Sequence, residues 1–151
     1  MPHIRVITLI AAPIELCFDL SRDIDLHVRS QSASGERAVA GRTSGLIELG
    51  ETVTWEARHH GFRQRLTSKI TAFDSPHHFR DEMVAGAFRS FIHDHRFTES
   101  DGMTKMVDDL AFRSPLGPLG WLVDRVFMTR YLKRLLAERG EVIRVEAESR
   151  V

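Results

Sequence analysis

The chain has 151 residues, of which 42% are hydrophobic and 28% are charged, and this composition is typical of one folded domain and excludes a disordered chain. The 21 Lys and Arg residues balance the 21 Asp and Glu residues, so overall charge favours neither a nucleic-acid partner nor an anionic membrane surface. Cys17 is the only cysteine, which excludes an internal disulfide and favours a reducing compartment, so we predict a cytoplasmic protein.

The first segment of the sequence predicts one strand followed by two short helices. Residues 3–10 are dense in β-branched side chains, which favours a strand. Pro13 suits the first position of a helix, and the apolar residues after it have helical spacing. Asp23 can cap a second short helix.

From Glu36 onward the hydrophobic pattern changes to a period of two, and glycines separate segments too short for helices. Strands are predicted at residues 51–60, 62–73, 79–84, 88–98 and 103–112. Together with the first strand, this pattern predicts an antiparallel sheet of about six or seven strands.

Asp101-Gly102 predicts a two-residue hairpin, because both positions of a type I′ turn need a positive φ. Counting back from this turn places His95 opposite Asp108 and His93 opposite Leu110. A carboxylate therefore faces an imidazole across the predicted strand pair, and Asp108 can reach either histidine.

A broad apolar stripe with helical spacing runs from residue 119 to residue 136 and stops before Gly140. It predicts one long helix, with a flexible tail from about residue 141 to residue 151. A basic amphipathic helix can contact a membrane surface, but basic residues near a helix C-terminus also complement the helix dipole, and this second role is expected here. The basic residues of this helix are Arg125, Arg130, Lys133, Arg134 and Arg139.

The order of elements and several local strings resemble the SRPBCC, or START-like helix-grip, superfamily, in the branch of polyketide cyclase/dehydrase and lipid-transport proteins. These strings lie at residues 12–20, 53–57, 93–97 and 115–117. The resemblance covers nearly the whole chain and implies an α+β helix-grip fold in one START-like domain over residues 1–151. In that fold, a curved antiparallel sheet wraps around the long C-terminal helix and encloses a cavity for a hydrophobic ligand.

His93 and His95 are two residues apart on a predicted strand, so both side chains share a face with Phe91 and Phe97. With Asp108, the histidines can satisfy one another inside the cavity, recognise a ligand, or act in general acid/base catalysis. Two histidines and a carboxylate can also hold Zn²⁺ or Fe²⁺. Because neither a His-x-Glu motif nor a cysteine supports such a site, no metal or cofactor is predicted.

We predict that the protein binds a hydrophobic small molecule between the sheet and the last helix: a lipid, isoprenoid, quinone or polyketide. The alternative is an aromatase/cyclase- or dehydratase-type enzyme that uses His93 or His95 with Asp108. A third possibility, an interaction module, lacks an evident exposed apolar patch. The predicted cavity residues are Trp55, His59, Leu66, Phe79, Met83, Phe91, His93, His95, Phe97, Asp108, Leu110, Val123 and Phe127.

No nucleic-acid partner is expected, because the outward-facing basic residues of the sheet lack interleaved aromatic side chains. No integral membrane segment or export signal is expected either, since no run of 18 apolar residues occurs. The sequence pattern leaves the oligomeric state open.

Overall fold

A computed structural model of the protein describes residues 2–32, 35–59, 62–114 and 124–151, and within these residues it contains seven antiparallel strands and three α-helices. The strands are β1 (His3–Ile10), β2 (Arg37–Gly41), β3 (Thr52–His59), β4 (Phe62–Asp74), β5 (His78–Ala85), β6 (Ser90–Ser100) and β7 (Met103–Arg113). Helices α1 (Ile14–Ser21) and α2 (Ile24–Ser30) follow β1, and a π-helical segment (Asp124–Met128) leads into the long helix α3 (Thr129–Ser149).

The strands form one sheet in the order β1-β7-β6-β5-β4-β3-β2. β1 and β2 therefore lie at opposite edges, and α1 and α2 connect them across the sheet. The pairing of β4 with β5 shifts register between Thr67 and Ser68 and again between Ile70 and Ala72, and such irregularities bend a strand. The predicted α+β arrangement, with two short helices after the first strand and one long C-terminal helix, is confirmed.

Two local predictions from the sequence are also confirmed. Asp23 caps α2, since its Oδ1 accepts hydrogen bonds from the backbone N–H groups of Asp25 and Leu26 at 2.9 and 3.3 Å. At the β6–β7 turn, Asp101 and Gly102 have φ values of 52° and 75°, as a type I′ turn requires. This turn fixes the register of the hairpin.

Phe18 of α1 lies at the centre of the larger hydrophobic core. Its buried ring makes edge-on contacts with Phe73, Phe79 and Phe97, each with ring centroids 5.4 Å apart, a favoured geometry for aromatic pairs. Cys17 is also completely buried, and burial raises the pKa of its thiol. The aromatic cluster therefore holds α1 against the inner face of β4, β5 and β6.

Helix α3 continues further than the sequence pattern predicts. It passes through Gly140 to Ser149, so the predicted end before Gly140 is wrong, and residues 141–149, which were expected to form a tail, are helical. Ile143 and Ala147 are 1% and 0% exposed in the larger core. No helix in the described part of the chain has the length and apolar character needed to cross a membrane.

Close packing of α3 on β1 explains why a glycine stands inside this helix. A Cβ at position 140 would lie 2.5 Å from Oγ1 of Thr8 and 3.7 Å from Cε of Met106. The first distance is too short for van der Waals contact, so a larger residue fits only if the Thr8 side chain or the backbone shifts. Gly140 is thus a helix-packing residue rather than a helix terminator.

We expect Gly140→Ala to lower the free energy of unfolding by about 1–3 kcal/mol, because the added methyl group overpacks the contact with Thr8. In a Thr8→Ala background the clashing hydroxyl is gone, and the same change should raise stability by up to about 1 kcal/mol through helix propensity. Urea denaturation of the wild type, the two single variants and the double variant measures both effects. Destabilisation of equal size in both backgrounds would contradict the packing explanation.

Candidate functional site

A cavity of about 830 Å³ lies between the inner face of the sheet and helices α2 and α3. Its walls are mainly apolar. The sheet contributes Val53, Trp55, Leu66, Ile70, Phe79, Phe91 and Leu110, and α3 contributes Tyr131, Leu132, Leu135 and Leu136. The polar side chains of Asp81, His93, His95 and Arg139 lie together on one part of the wall.

The structure places the thirteen predicted cavity residues in three groups. Those that line the cavity are Trp55, Leu66, Phe79, Phe91, His93, His95, Leu110 and Phe127. Phe97 is 1% exposed in the core around Phe18, Met83 is half-buried next to Gly86, and Asp108 lies behind the two histidines. The side chain of His59 and the whole of Val123 lie outside the described residues.

The hairpin between β6 and β7 brings Asp108 to the histidines, as predicted. His95 is paired with Asp108 and His93 with Leu110. Nε2 of His93 donates to Oδ1 of Asp108 at 2.9 Å, and Nδ1 of His95 lies 3.1 Å from the same oxygen. The prediction that Asp108 reaches either histidine is confirmed.

Arg139 of α3 also contacts this carboxylate, with Nη1 3.5 Å from Oδ1 of Asp108. Its Nη2 donates to the backbone oxygen of Ser21 in α1 at 2.5 Å. The expectation that Arg139 complements the helix dipole is therefore wrong, because its side chain is buried and turned toward the sheet. Its sequence position indicates this, since Leu136 and Ile143 are on the same buried helix face.

Asp81 of β5 lies on the other side of the histidine pair, facing the cavity. Its Oδ2 accepts from Nε2 of His95 at 2.6 Å and lies 4.0 Å from Nδ1 of His93. The rings of His93 and His95 stack with centroids 3.7 Å apart, and the ring of Phe79 stacks on the other face of His95 at 4.0 Å. Asp81 was not among the predicted site residues, although it shares an inward face with Phe79 in the sequence pattern.

Burial and charge determine which of these groups carries a proton. Burial disfavours the charged form of His95, but the carboxylates of Asp108 and Asp81 outweigh it and raise the pKa of His95. Burial, together with the charge on His95, lowers the pKa of His93. Burial alone would raise the pKa of Asp81 and Asp108, yet the two histidines lower both. The arrangement favours a protonated His95 and a neutral His93 between two ionised carboxylates.

A second polar group on the cavity wall lies at α2 and β3. The rings of His27 and Trp55 stack with centroids 4.0 Å apart, and Nε2 of His27 is 2.5 Å from Oε1 of Glu36. All three residues line the cavity. The sequence pattern places His27 on a short helix and carries no signal that this helix faces the cavity.

The family model described as "Polyketide cyclase / dehydrase and lipid transport" matches residues 1–144 of this chain. The chain belongs to this family. The resemblance inferred from the sequence is thereby confirmed, and among curated proteins no significant match was found.

Solved structures show that the fold of this family member is shared widely. TTHA0849 from Thermus thermophilus is 20% identical with a TM-score of 0.72, covering 94% of this chain and 97% of that one. A START superfamily protein from Mycobacterium smegmatis is 12% identical with a TM-score of 0.72, covering 99% of both chains. The ginseng major latex-like protein 151 from Panax ginseng is 14% identical with a TM-score of 0.65, covering 97% of both. At these identities, the similarity establishes the helix-grip fold.

In this family member we expect Asp108→Asn to lower the free energy of unfolding by about 1–3 kcal/mol, because a neutral amide leaves Arg139 without a buried counter-charge. Asp109→Asn is the matched control, since this carboxylate pairs on the outer face with Arg5 and Arg96, whose side chains are 61% and 49% exposed and stay hydrated when the carboxylate is neutralised, so a loss of about 0–1 kcal/mol is expected. Urea denaturation compares the two variants. An equal loss in both would argue against a special role for Asp108.

Proposed function

We propose that the protein binds a hydrophobic small molecule, a lipid, isoprenoid, quinone or polyketide, in the cavity between the sheet and α3. The observation that carries this proposal is the cavity of about 830 Å³ with mainly apolar walls, a size within the range of about 300–1,000 Å³ found for small-molecule sites. Membership of a family described by lipid transport supports the same class of ligand. The buried Cys17 thiol supports a reducing, cytoplasmic setting.

The distribution of polar groups narrows the kind of ligand. Burying a polar ligand atom against an apolar wall is unfavourable unless it gains a hydrogen bond. Asp81 and Nδ1 of His93 offer acceptor atoms on one part of the wall, while Phe91 and Leu135 stand on apolar parts of it. The ligand that fits best is a mainly apolar molecule with a hydroxyl group that donates toward Asp81 and His93.

We expect Phe91→Asp to weaken binding of the hydrophobic dye 1-anilinonaphthalene-8-sulfonate by about tenfold, equivalent to about 1.4 kcal/mol, because the variant places a charge on the cavity wall. Fluorescence titration measures the affinity, and circular dichroism with urea denaturation establishes that the variant is folded.

Leu9→Asp is the control for this experiment, because Leu9 is 58% exposed on the outer side of β1. This substitution should leave the dye affinity unchanged. Unchanged affinity in a folded Phe91→Asp protein would place the dye site outside the cavity. Loss of affinity in Leu9→Asp alone would place it on the outer face of the sheet.

A second candidate function, polyketide cyclisation or dehydration, is favoured by one observation: His93 has the geometry of an oriented base. Nε2 of His93 is 2.9 Å from Oδ1 of Asp108, which fixes the orientation of the ring. Nδ1 of His93 faces the cavity and lies 4.0 Å from Oδ2 of Asp81. Both nitrogens of His95 instead face carboxylates. In a cyclisation, His93 would take a proton from a carbon between two carbonyls, the enolate would attack a third carbonyl, and the proton would return to the new alkoxide.

If the protein is such an enzyme, it should convert a poly-β-carbonyl substrate into a cyclised product, and His93→Ala should lower turnover by about 10²–10⁴-fold. Mass spectrometry of the organic-solvent extract follows the conversion. His78→Ala is the control, because His78 pairs with Asp94 at 2.7 Å, away from the cavity lining. Recovery of the carbonyl compound unchanged from the wild-type protein would leave binding as the function.

A further inference from the structure

We infer that Asp81, His93 and His95 form a binding site for a divalent transition-metal ion, Zn²⁺ or Fe²⁺, on the cavity wall. This inference goes beyond hydrophobic ligand binding and does not depend on it. Two histidines and one carboxylate are a donor set that these ions accept in proteins. The carboxylate in this set is Asp81 of β5, in place of Asp108, which the sequence pattern pairs with the histidines.

The three residues supply donor atoms that converge on one point. Their ligating atoms all lie within 4.8 Å of one another. Oδ2 of Asp81 is 2.6 Å from Nε2 of His95 and 4.0 Å from Nδ1 of His93. Donors bound at about 2.0–2.1 Å to a tetrahedral Zn²⁺ lie about 3.3 Å apart. The two distances from Asp81 fall on either side of this value and the two histidine donors lie within 4.8 Å of each other, so a shift of about 1 Å in each side chain is sufficient to bring the atoms to it.

Asp108 orients both imidazoles toward that point from behind. It faces Nε2 of His93 and Nδ1 of His95, which leaves the opposite nitrogen of each ring directed at Asp81. A carboxylate hydrogen-bonded to the remote nitrogen of a metal-bound histidine is a recurring feature of metal sites, where it fixes the ring and makes it a stronger ligand. Asp108 is therefore a positioning residue and Asp81 a ligand.

Two buried polar atoms behind the proposed site lack good hydrogen bonds. Among the described residues, Nδ1 of His95 and Oδ2 of Asp108 are buried without a hydrogen-bond partner, and Arg139 contacts the other oxygen of Asp108. A metal ion bound at Nε2 of His95 would take the place of the proton that this nitrogen shares with Asp81, as metal binding to protein ligands releases protons. A firmly ligated His95 ring can then align its Nδ1–H with Asp108.

The open side of the proposed metal site faces the cavity. Asp81, His93 and His95 all line it, so a fourth ligand position would be directed at a bound molecule. A ligand with a carbonyl, phenol or carboxylate oxygen can fill that position. The site thus favours apolar ligands that carry an oxygen donor at one end.

Cobalt titration of the untagged protein tests this inference, because Co²⁺ in a site with nitrogen and oxygen donors gives visible d–d absorption bands. We expect one Co²⁺ per chain, displaced by Zn²⁺, with affinity reduced at least about tenfold in Asp81→Asn and His93→Ala. Asp108→Asn should reduce it by about 10–100-fold, as other changes to outer carboxylates do. Asp81 has a side chain 19% exposed, and the conservative Asp81→Asn change keeps the test valid if His93→Ala fails to fold.

His78→Ala is the matched control, since it removes a histidine next to the Asp94 carboxylate on the outer face and should leave the bands unchanged. Absence of the bands in the wild-type protein at saturating Co²⁺ would overturn the inference. Bands that persist in folded Asp81→Asn, or that disappear only in His78→Ala, would also overturn it, because they would place the metal elsewhere.

Discussion

A fully buried carboxylate is the constraint on which the arrangement of sheet and helix depends. Asp108 is 0% exposed, and an unpaired charge in such a place costs several kcal/mol. Contacts from β6 and α3, through His93, His95 and Arg139, offset this cost. Because Arg139 also donates to Ser21, the same set of contacts joins α1, α3 and the sheet, so helix position and side-chain orientation at the cavity are coupled.

The polar wall of the cavity depends on the same contacts. The groups that hold α3 on the sheet are the ones that give the cavity its polar wall, next to apolar surface from Leu66, Phe91 and Leu135. Fold alone does not determine the activity of such a site. The chemical character of the polar wall depends on which nitrogen of each imidazole faces the cavity, and Asp108 fixes that choice for His93 by accepting from its Nε2.

Local patterns in the sequence predict the elements that depend on neighbouring residues. The Asp101-Gly102 turn has a defined geometry, so counting along the hairpin correctly pairs His95 with Asp108. No comparable turn motif in the sequence predicts the pairing of Asp81 with His93 across β5 and β6. Those strands are joined by a longer loop, and its length does not fix the register of the pair.

The roles of Gly140 and Arg139 could not be predicted from the pattern of residues within their own helix. A glycine and a charged side chain near the end of an apolar stripe usually indicate a helix terminus. Their roles here depend on Thr8 and Asp108, which are far away in the sequence, and a pattern within one helix carries no information about such partners. The fold was therefore more predictable than the polar contacts within it.

Gly140, where α3 packs closely against Thr8 of β1, separates two parts of the helix that contact different regions of the protein. Every described α3 residue on the cavity wall, from Arg130 to Arg139, precedes Gly140, whereas Ile143 and Ala147 after it are buried in the larger core. Substitutions at positions of the first part other than Arg139 can reshape the apolar wall of the cavity while the second part continues to anchor the helix. The shape of the apolar wall can therefore vary in evolution while Arg139 and the second part keep α3 in its place on the sheet.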